Sequence, residues 1–227
     1  MEPRWDDVLA ASARLQTLLP DAVLVGGTAA ALHAGHRVSF DDDHVLADLK
    51  ERFDHVLEHL EQVDGWSTAR VNRPVLILGS LDGIETGVRQ LIRRRPLETQ
   101  EFEVPGGRVT APILPEMLRI KAWLVLRRNA TRDYLDVVAL ADRIGEEIAV
   151  AVLAGLDEYY EDQQGAGGRR VATQLAKQLA APRPYDLSDV DLRRYRKLDR
   201  RWRDWAEVER ACRRLAVGLL DRTAPER

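Results

Sequence analysis

Up to about residue 111 the apolar positions change period every few residues, and beyond it a helical period persists to the end of the chain. Trp5, Val8, Leu9, Leu15 and Leu18 recur at helical spacing and predict a helix over 4–18, stopped by Pro20-Asp21. A short apolar run, Ala22 to Val25, predicts a strand that ends in Gly26-Gly27, and a small-residue helix follows from Thr28 to Ala34. His44 to Leu46 reads as a second strand, and Asp48 as the cap of a helix over 49–63 whose apolar face is Phe53, Val56, Leu57 and Leu60. Strands are predicted over 66–71, 75–79 and 84–92, with a hairpin turn at Leu81-Asp82-Gly83. Residues 101–104 and 108–111 form a last hairpin expected to close the sheet.

After Pro112 strand signals vanish. Pro115 suits the first turn of a helix to Arg128, Thr131 is the expected cap of a helix over 132–144, and Gly145 ends it. Further helices are expected over 148–160, over 169–180 after an acidic-glycine break at 161–168, and, past a Pro182/Pro184 linker, over 191–220. The pattern divides the chain into a mixed α/β domain, 1–111, and a helical domain, 112–227.

Composition narrows the class. A hydrophobic content of 45% supports a proper core, and a net charge of −3 excludes a uniformly basic nucleic-acid binder, so any such surface is local. The single cysteine, Cys212, excludes an internal disulfide and fits a reducing cytoplasm. It lies in an amphipathic helix and reads as packing. No apolar run approaches the ~20 residues of a membrane span, and the start, MEPRWDD, lacks the apolar core of a signal peptide. Cytoplasmic location and no membrane partner are therefore expected.

The chemistry concentrates in residues 23–44, VLVGGTAAALHAGHRVSFDDDH. The two glycines permit a sharp turn and close approach to a ligand. On a strand, Asp41 and Asp43 share a face about 7 Å apart while Asp42 points the other way. Two carboxylates beside exposed backbone N–H groups suit a hard divalent ion carrying a triphosphate. Each piece alone also reads as an ordinary turn or a solvated acidic loop. Glu85, on a later strand, is either an exposed strand residue or a base that takes a proton from an attacking hydroxyl. Arg89 shares its face, and Arg93-Arg94-Arg95 follows, either a solvated edge or a phosphate contact. In the helical half, Lys121, Arg132, Asp133 and Asp136 read on their own as a charge network holding two helices together. Residues 193–205 interleave Arg193, Arg194, Arg196, Arg200, Arg201 and Arg203 with Tyr195, Trp202 and Trp205; the interspersed acids favour a salt-bridged surface helix over an RNA contact.

The order of a strand, Gly-Gly, a short helix and Asp-x-Asp resembles the nucleotidyltransferases of the DNA polymerase β type. The form GGTAAALHAGHRVSFDDD is similar in particular to the AbiEii and MenT-like nucleotidyltransferase toxins, through Gly26, Gly27, Arg37, Ser39, Asp41 and Asp43. A second match, IKAWLVLRRNATRDYLDVVAL, carries Lys121 on one helix and Arg132, Asp133 and Asp136 on the next. The resemblance covers about residues 22–140. Asp42 and His44 depart from it, standing where the family has apolar strand residues, which implies a less buried strand or a local role for His44.

The resemblance implies an α/β (α+β) fold: a polymerase β-type nucleotidyltransferase domain with a small mixed sheet, followed by a helical domain. It implies Mg²⁺ held by Asp41 and Asp43, and catalytic parts for Glu85, Lys121 and Asp133. Gly26, Gly27, Arg37, Ser39, Lys121 and Asp136 would bind the nucleotide. The implied partners are a nucleoside triphosphate, the 3′ end of tRNA as acceptor, and the cognate antitoxin of a toxin-antitoxin pair. An antibiotic nucleotidyltransferase and a non-catalytic protein of the same fold are the competing readings.

Overall fold

The computed structural model describes residues 3–163 and 170–223. The chain divides into two units, one of Met1–Leu32 with Val38–Ile113 and one of His33–Arg37 with Leu114–Arg227. The second unit thus includes a five-residue piece of the first half, His33–Arg37, with the helices from Leu114.

The first unit contains helices α1 (Trp5–Leu18), α2 (Gly26–Ala34) and α3 (Phe53–Glu61). Its strands are β1 (Val23–Leu24), β2 (Asp42–Leu46), β3 (Trp66–Asn72), β4 (Leu76–Leu81), β5 (Ile84–Gln90), β6 (Thr99–Val104) and β7 (Gly107–Pro112). Five strands make one mixed sheet in the order β1-β2-β5-β4-β3. β2 and β5 are parallel and the other neighbours antiparallel. A parallel pair needs a long crossover, here α3 with β3 and β4. Asp82 and Gly83, at φ +53° and +80°, form the two-residue turn between β4 and β5. The core joins Leu15 and Leu19 of α1 and Phe53, Val56, Leu57 and Leu60 of α3 to Leu46, Ile77, Leu81 and Val88 of the sheet.

Two expectations in this unit are corrected. Helix α3 starts at Phe53 because Asp48 organises a preceding turn: its carboxylate accepts from Arg52 Nε at 2.9 Å and its carbonyl from the amides of Glu51 and Arg52. The last hairpin does not close the sheet, since β6 and β7 pair only with each other. Thr110 of β7 turns its backbone to Gln16 of α1, which accepts from Thr110 N–H at 2.7 Å and donates to its carbonyl at 2.8 Å.

The second unit contains α4 (Leu114–Arg128), α5 (Thr131–Ile144), α6 (Glu146–Ala154), α7 (Leu156–Tyr159), α8 (Val171–Ala180) and α9 (Trp205–Thr223). Asn129, at φ +50°, ends α4. Its side-chain oxygen accepts from the Tyr134 hydroxyl at 2.6 Å and from Gln178 at 2.7 Å. Trp123 stacks on Tyr160 with ring centroids 4.4 Å apart. Cys212 is fully buried, and burial pushes its thiol up to about 12, so it packs rather than attacks. Among the described residues no helix is long and apolar enough to cross a membrane.

Three readings of the helical half change. The helix expected over 148–160 is two, broken at Gly155. The arginine-rich stretch is not helical: short 3₁₀ turns at Leu192–Arg194 and Arg200–Arg203 precede α9. Most of the acidic-glycine break, 164–168, and the helix start expected at Arg169 lie outside the described residues. The third concerns the cap of α5. Thr131 is the first helical residue, and both its N–H and its hydroxyl donate to Asp186 Oδ1 at 2.8 Å. Asp186→Ala is therefore expected to cost about 1–2 kcal/mol in chemical denaturation, the upper range for a lost cap. Asp186→Asn keeps the acceptor and should retain most of it.

Candidate active site

Strand β2 is charged on both faces. Asp42 and His44 point into the unit and are fully buried, so the less buried strand that these residues led one to expect is not found. Ser12 of α1 donates to Asp42 Oδ1 at 2.5 Å, and Thr86 of β5 to Oδ2 at 3.5 Å. His44 Nδ1 stands 3.4 Å from Asp42 Oδ1. Burial raises the Asp42 carboxyl above the usual range, with His44 and the Ser12 hydroxyl pulling it back. The local role open to His44 is thus to share a dry pocket with Asp42.

The opposite parity carries Asp41, which is exposed, and Asp43, which is half-buried. The parallel ladder starts at Asp42 with Thr86 and pairs Asp43 with Gly87; Asp41 immediately precedes β2, and Glu85 immediately precedes Thr86 on β5. Glu85 is exposed. The carboxylate of Asp43 sits between two glycines. A Cβ on Gly26 would lie 3.1 Å from Asp43 Oδ2, and one on Gly87 would lie 2.8 Å from Oδ1. Gly26 is further confined by its φ of +73°. Val25 N–H donates to the Asp43 carbonyl at 2.8 Å, and the Thr28 hydroxyl to the Asp41 carbonyl at 2.7 Å, which ties the start of α2 to the acidic strand. Arg89 Nε donates to Asp43 Oδ1 at 3.2 Å.

In the helical unit the expected site residues surround Asp136. Its carboxylate, fully buried, accepts from Arg37 Nε and Nη2 at 2.8 and 3.0 Å, from His36 Nε2 at 2.7 Å and from Lys121 Nζ at 2.7 Å. Burial alone would raise the Asp136 carboxyl; Arg37, Lys121 and His36 outweigh it and hold the group well below the usual carboxylate range. Burial likewise works against Arg37, yet Asp136 lifts it above its ordinary value. Asp133, one turn earlier on α5, is fully buried with no hydrogen bond on either oxygen. Burial raises its carboxyl, and Lys121 and Arg128 only partly offset this. Arg37 and Ser39, read in the sequence as supports of one phosphate pocket, fall in different units, and Ser39 is buried in the first.

No family model matches the chain. In the solved structures it is similar to the antibiotic-resistance factor ANT(2″)-Ia, at 12% identity and a TM-score of 0.53, over 72% of this chain and 96% of that one. It is similar to a presumed nucleotidyltransferase from H. pylori, at 16% identity and a TM-score of 0.51, over 98% and 97%. The fold is that of the polymerase β-like nucleotidyltransferases. In sequence the chain is 42% identical over 131 residues to the heme uptake protein MmpL11 of Mycobacterium tuberculosis (strain ATCC 25618 / H37Rv). It is 36% identical over 130 residues to the mycolic acid-containing lipids exporter MmpL11 of Mycolicibacterium smegmatis. The match takes in 57% of this chain but only 13% of the length of those relatives.

Of the residues expected to form the site, Gly26 and Asp43 meet on the first unit, while Gly27, Asp41 and Glu85 lie on the adjoining segments. Lys121, Asp133, Asp136 and Arg37 come together on the second. Sequence reasoning missed Gly87 and Ser12. Gly87 had a signal, since a glycine inside a strand marks a close approach; Ser12 had none. Among the described residues no three His, Cys, Asp or Glu side chains form a metal cluster.

The charge directions fix two outcomes. Asp136 is depressed in the folded state, so its stabilisation is full above about pH 4 and is lost as pH falls further. Asp133 is raised, so it costs stability at neutral pH and the cost fades as pH falls. Asp133→Asn should raise stability at pH 7.5 by on the order of 1 kcal/mol, with no gain at pH 3.5. Asp136→Asn should lose about 3–5 kcal/mol at neutral pH, because it strands buried cations. Thermal melts of both variants at the two pH values check these signs.

Proposed function

We propose that the chain is a metal-dependent nucleotidyltransferase that moves a nucleoside monophosphate from a triphosphate to a hydroxyl acceptor. The observation that carries this is the Asp43 carboxylate seated between Gly26 and Gly87, with Asp41 just before β2 and Glu85 next to Thr86, the ladder partner of Asp42. Asp41 and Asp43 would hold Mg²⁺, which when bound neutralises phosphate charge and favours in-line displacement. The N–H groups at the start of α2, where Gly26 and Gly27 carry no side chain, are suited to the β- and γ-phosphates. Glu85 takes the proton as the acceptor oxygen attacks the α-phosphorus. The new O–P bond forms as the bond to the β-bridging oxygen breaks, and pyrophosphate leaves.

Lys121 and Asp133 are retained as functional candidates. A buried carboxylate without hydrogen bonds is costly, and such cost collects at working sites. Arg37 and Asp136, which satisfy one another, are assigned the holding of this cluster.

For the acceptor, the motif resemblance favours the 3′ end of tRNA, with the chain as toxin of a pair that includes an antitoxin. A feature of the helical unit supports it. In residues 191–204 the turns are held by Asp191, Asp199 and Asp204, which accept from the amides of Arg193, Arg201 and Ala206. Arg193, Arg196 and Arg200 are exposed there, a local basic surface of the kind that meets RNA phosphates. The likeness to ANT(2″)-Ia favours a small hydroxylated antibiotic instead. A binding module without transfer chemistry is favoured by the MmpL11 matches, since those relatives are transport proteins.

The test incubates the protein with Mg²⁺, each α-labelled nucleoside triphosphate and either total tRNA or aminoglycosides. Label on tRNA is expected, reduced on the order of 10³-fold or more by Asp41→Ala or Asp43→Ala and by about 10²–10⁴-fold by Glu85→Gln. Label on the antibiotic alone establishes the second reading. Nucleotide binding with no label on any acceptor establishes the third.

A further inference from the structure

Arg89 puts a cation on the atom where the proposed reaction needs a metal ligand free. We propose that Arg89 is a resident counter-charge for Asp43. It blocks binding of a bare divalent cation, and gives way when the cation arrives on a triphosphate by moving its guanidinium onto the phosphate chain. The proposal rests on the nucleotidyl-transfer reading.

Three features of the first unit carry it. The first is reach. In the parallel ladder Arg89 pairs with Val45, two residues beyond the Asp43–Gly87 pair and on the same face. Its side chain returns across Gly87 to Asp43. Gly87 leaves this space open: a Cβ there would press on Asp43 Oδ1 at 2.8 Å and touch Arg89 Nε at 3.9 Å. The second is exposure. The Arg89 and Asp43 side chains are 40% and 28% exposed, whereas the Arg37 and Asp136 pair is 7% and 0%. An exposed pair is weak and exchanges with solvent ions; a buried one does not. The third is unspent capacity. Arg89 uses Nε alone on Asp43, and its two terminal nitrogens have no partner among the described residues. Those donors form the planar fork that matches a phosphate.

Together these make cation and triphosphate binding cooperative. A bare cation must displace Arg89 and then tolerate its charge nearby. A cation on a triphosphate brings the anion that receives the displaced guanidinium. The nucleotide thus relieves the block that the protein sets against the metal alone.

The experiment titrates Mn²⁺ into the full chain, followed by electron paramagnetic resonance of the free ion, with and without an α,β-methylene nucleoside triphosphate. The proteins are the parent, Arg89→Gln, Arg89→Lys and Asp43→Asn. For Arg89→Gln, bare Mn²⁺ should bind about 5- to 30-fold tighter, the effect of removing a neighbouring charge and a competing exposed pair. Its gain from the nucleotide should shrink by a similar factor. Arg89→Lys keeps the charge without the fork, so its bare Mn²⁺ affinity should stay near the parent's while its nucleotide enhancement falls. Bare Mn²⁺ affinity that is unchanged or weaker in Arg89→Gln overturns the proposal, while nucleotide-enhanced binding in the parent leaves the transfer reading standing. If no protein binds Mn²⁺ above the Asp43→Asn level with nucleotide present, both fall.

Discussion

A strand with ionisable groups on both faces cannot bury one side and solvate the other cheaply, and β2 is such a strand. Its inward face sets Asp42 and His44 in a dry pocket under α1, where an unpaired carboxylate would cost several kcal/mol. Ser12 and Thr86 reduce that cost with hydroxyl donors from α1 and β5. Because side chains alternate, fixing Asp42 inward fixes Asp41 and Asp43 outward, and a register slip would invert the set. The polar anchor beneath the strand is thus what aims the carboxylates above it. The glycines at 26 and 87 then leave Asp43 room that any larger residue would take.

The helical unit solves a related problem differently. Asp136 is fully buried but carries four donors from Arg37, His36 and Lys121, so its charge is stable where it is. That arrangement accounts for His33–Arg37 grouping with the helices although the chain enters that segment from α2. Asp133 has no such satisfaction and stays under tension beside the same lysine. One carboxylate of the pair is therefore structural in its bonding, and the other retains unspent hydrogen-bonding capacity.

Much of the architecture could be read from the sequence because its signals are local. The alternating strands, the Asp82-Gly83 turn and the helical period after Pro112 each rest on a few adjacent residues. The Gly-Gly and Asp-x-Asp spacing likewise identified the acidic strand. What escaped depends on partners far along the chain. The cap of α5 comes from Asp186, 55 residues beyond Thr131. The hairpin β6–β7 stands apart because Gln16 takes the Thr110 backbone, a contact across 94 residues. Of the acids among the C-terminal arginines, Glu207 and Glu209 do pair with Arg210 and Arg213, whereas Asp191, Asp199 and Asp204 accept from backbone amides at their own turns. The burial of Asp42 and His44 rests on a serine of α1, which strand periodicity does not carry; of the two readings, a less buried strand or a local role for His44, only the second is left.

The central claim is spatial: nucleotide and cation bind at the face of β2 that carries Asp41 and Asp43. Paramagnetic broadening of backbone amide resonances by Mn²⁺ with a non-hydrolysable nucleoside triphosphate locates the bound cation directly. Loss of signal centred on Gly26, Gly27, Asp43 and Gly87, abolished by Asp43→Asn, is the predicted result. Broadening confined to other residues, or insensitive to that substitution, would contradict the account.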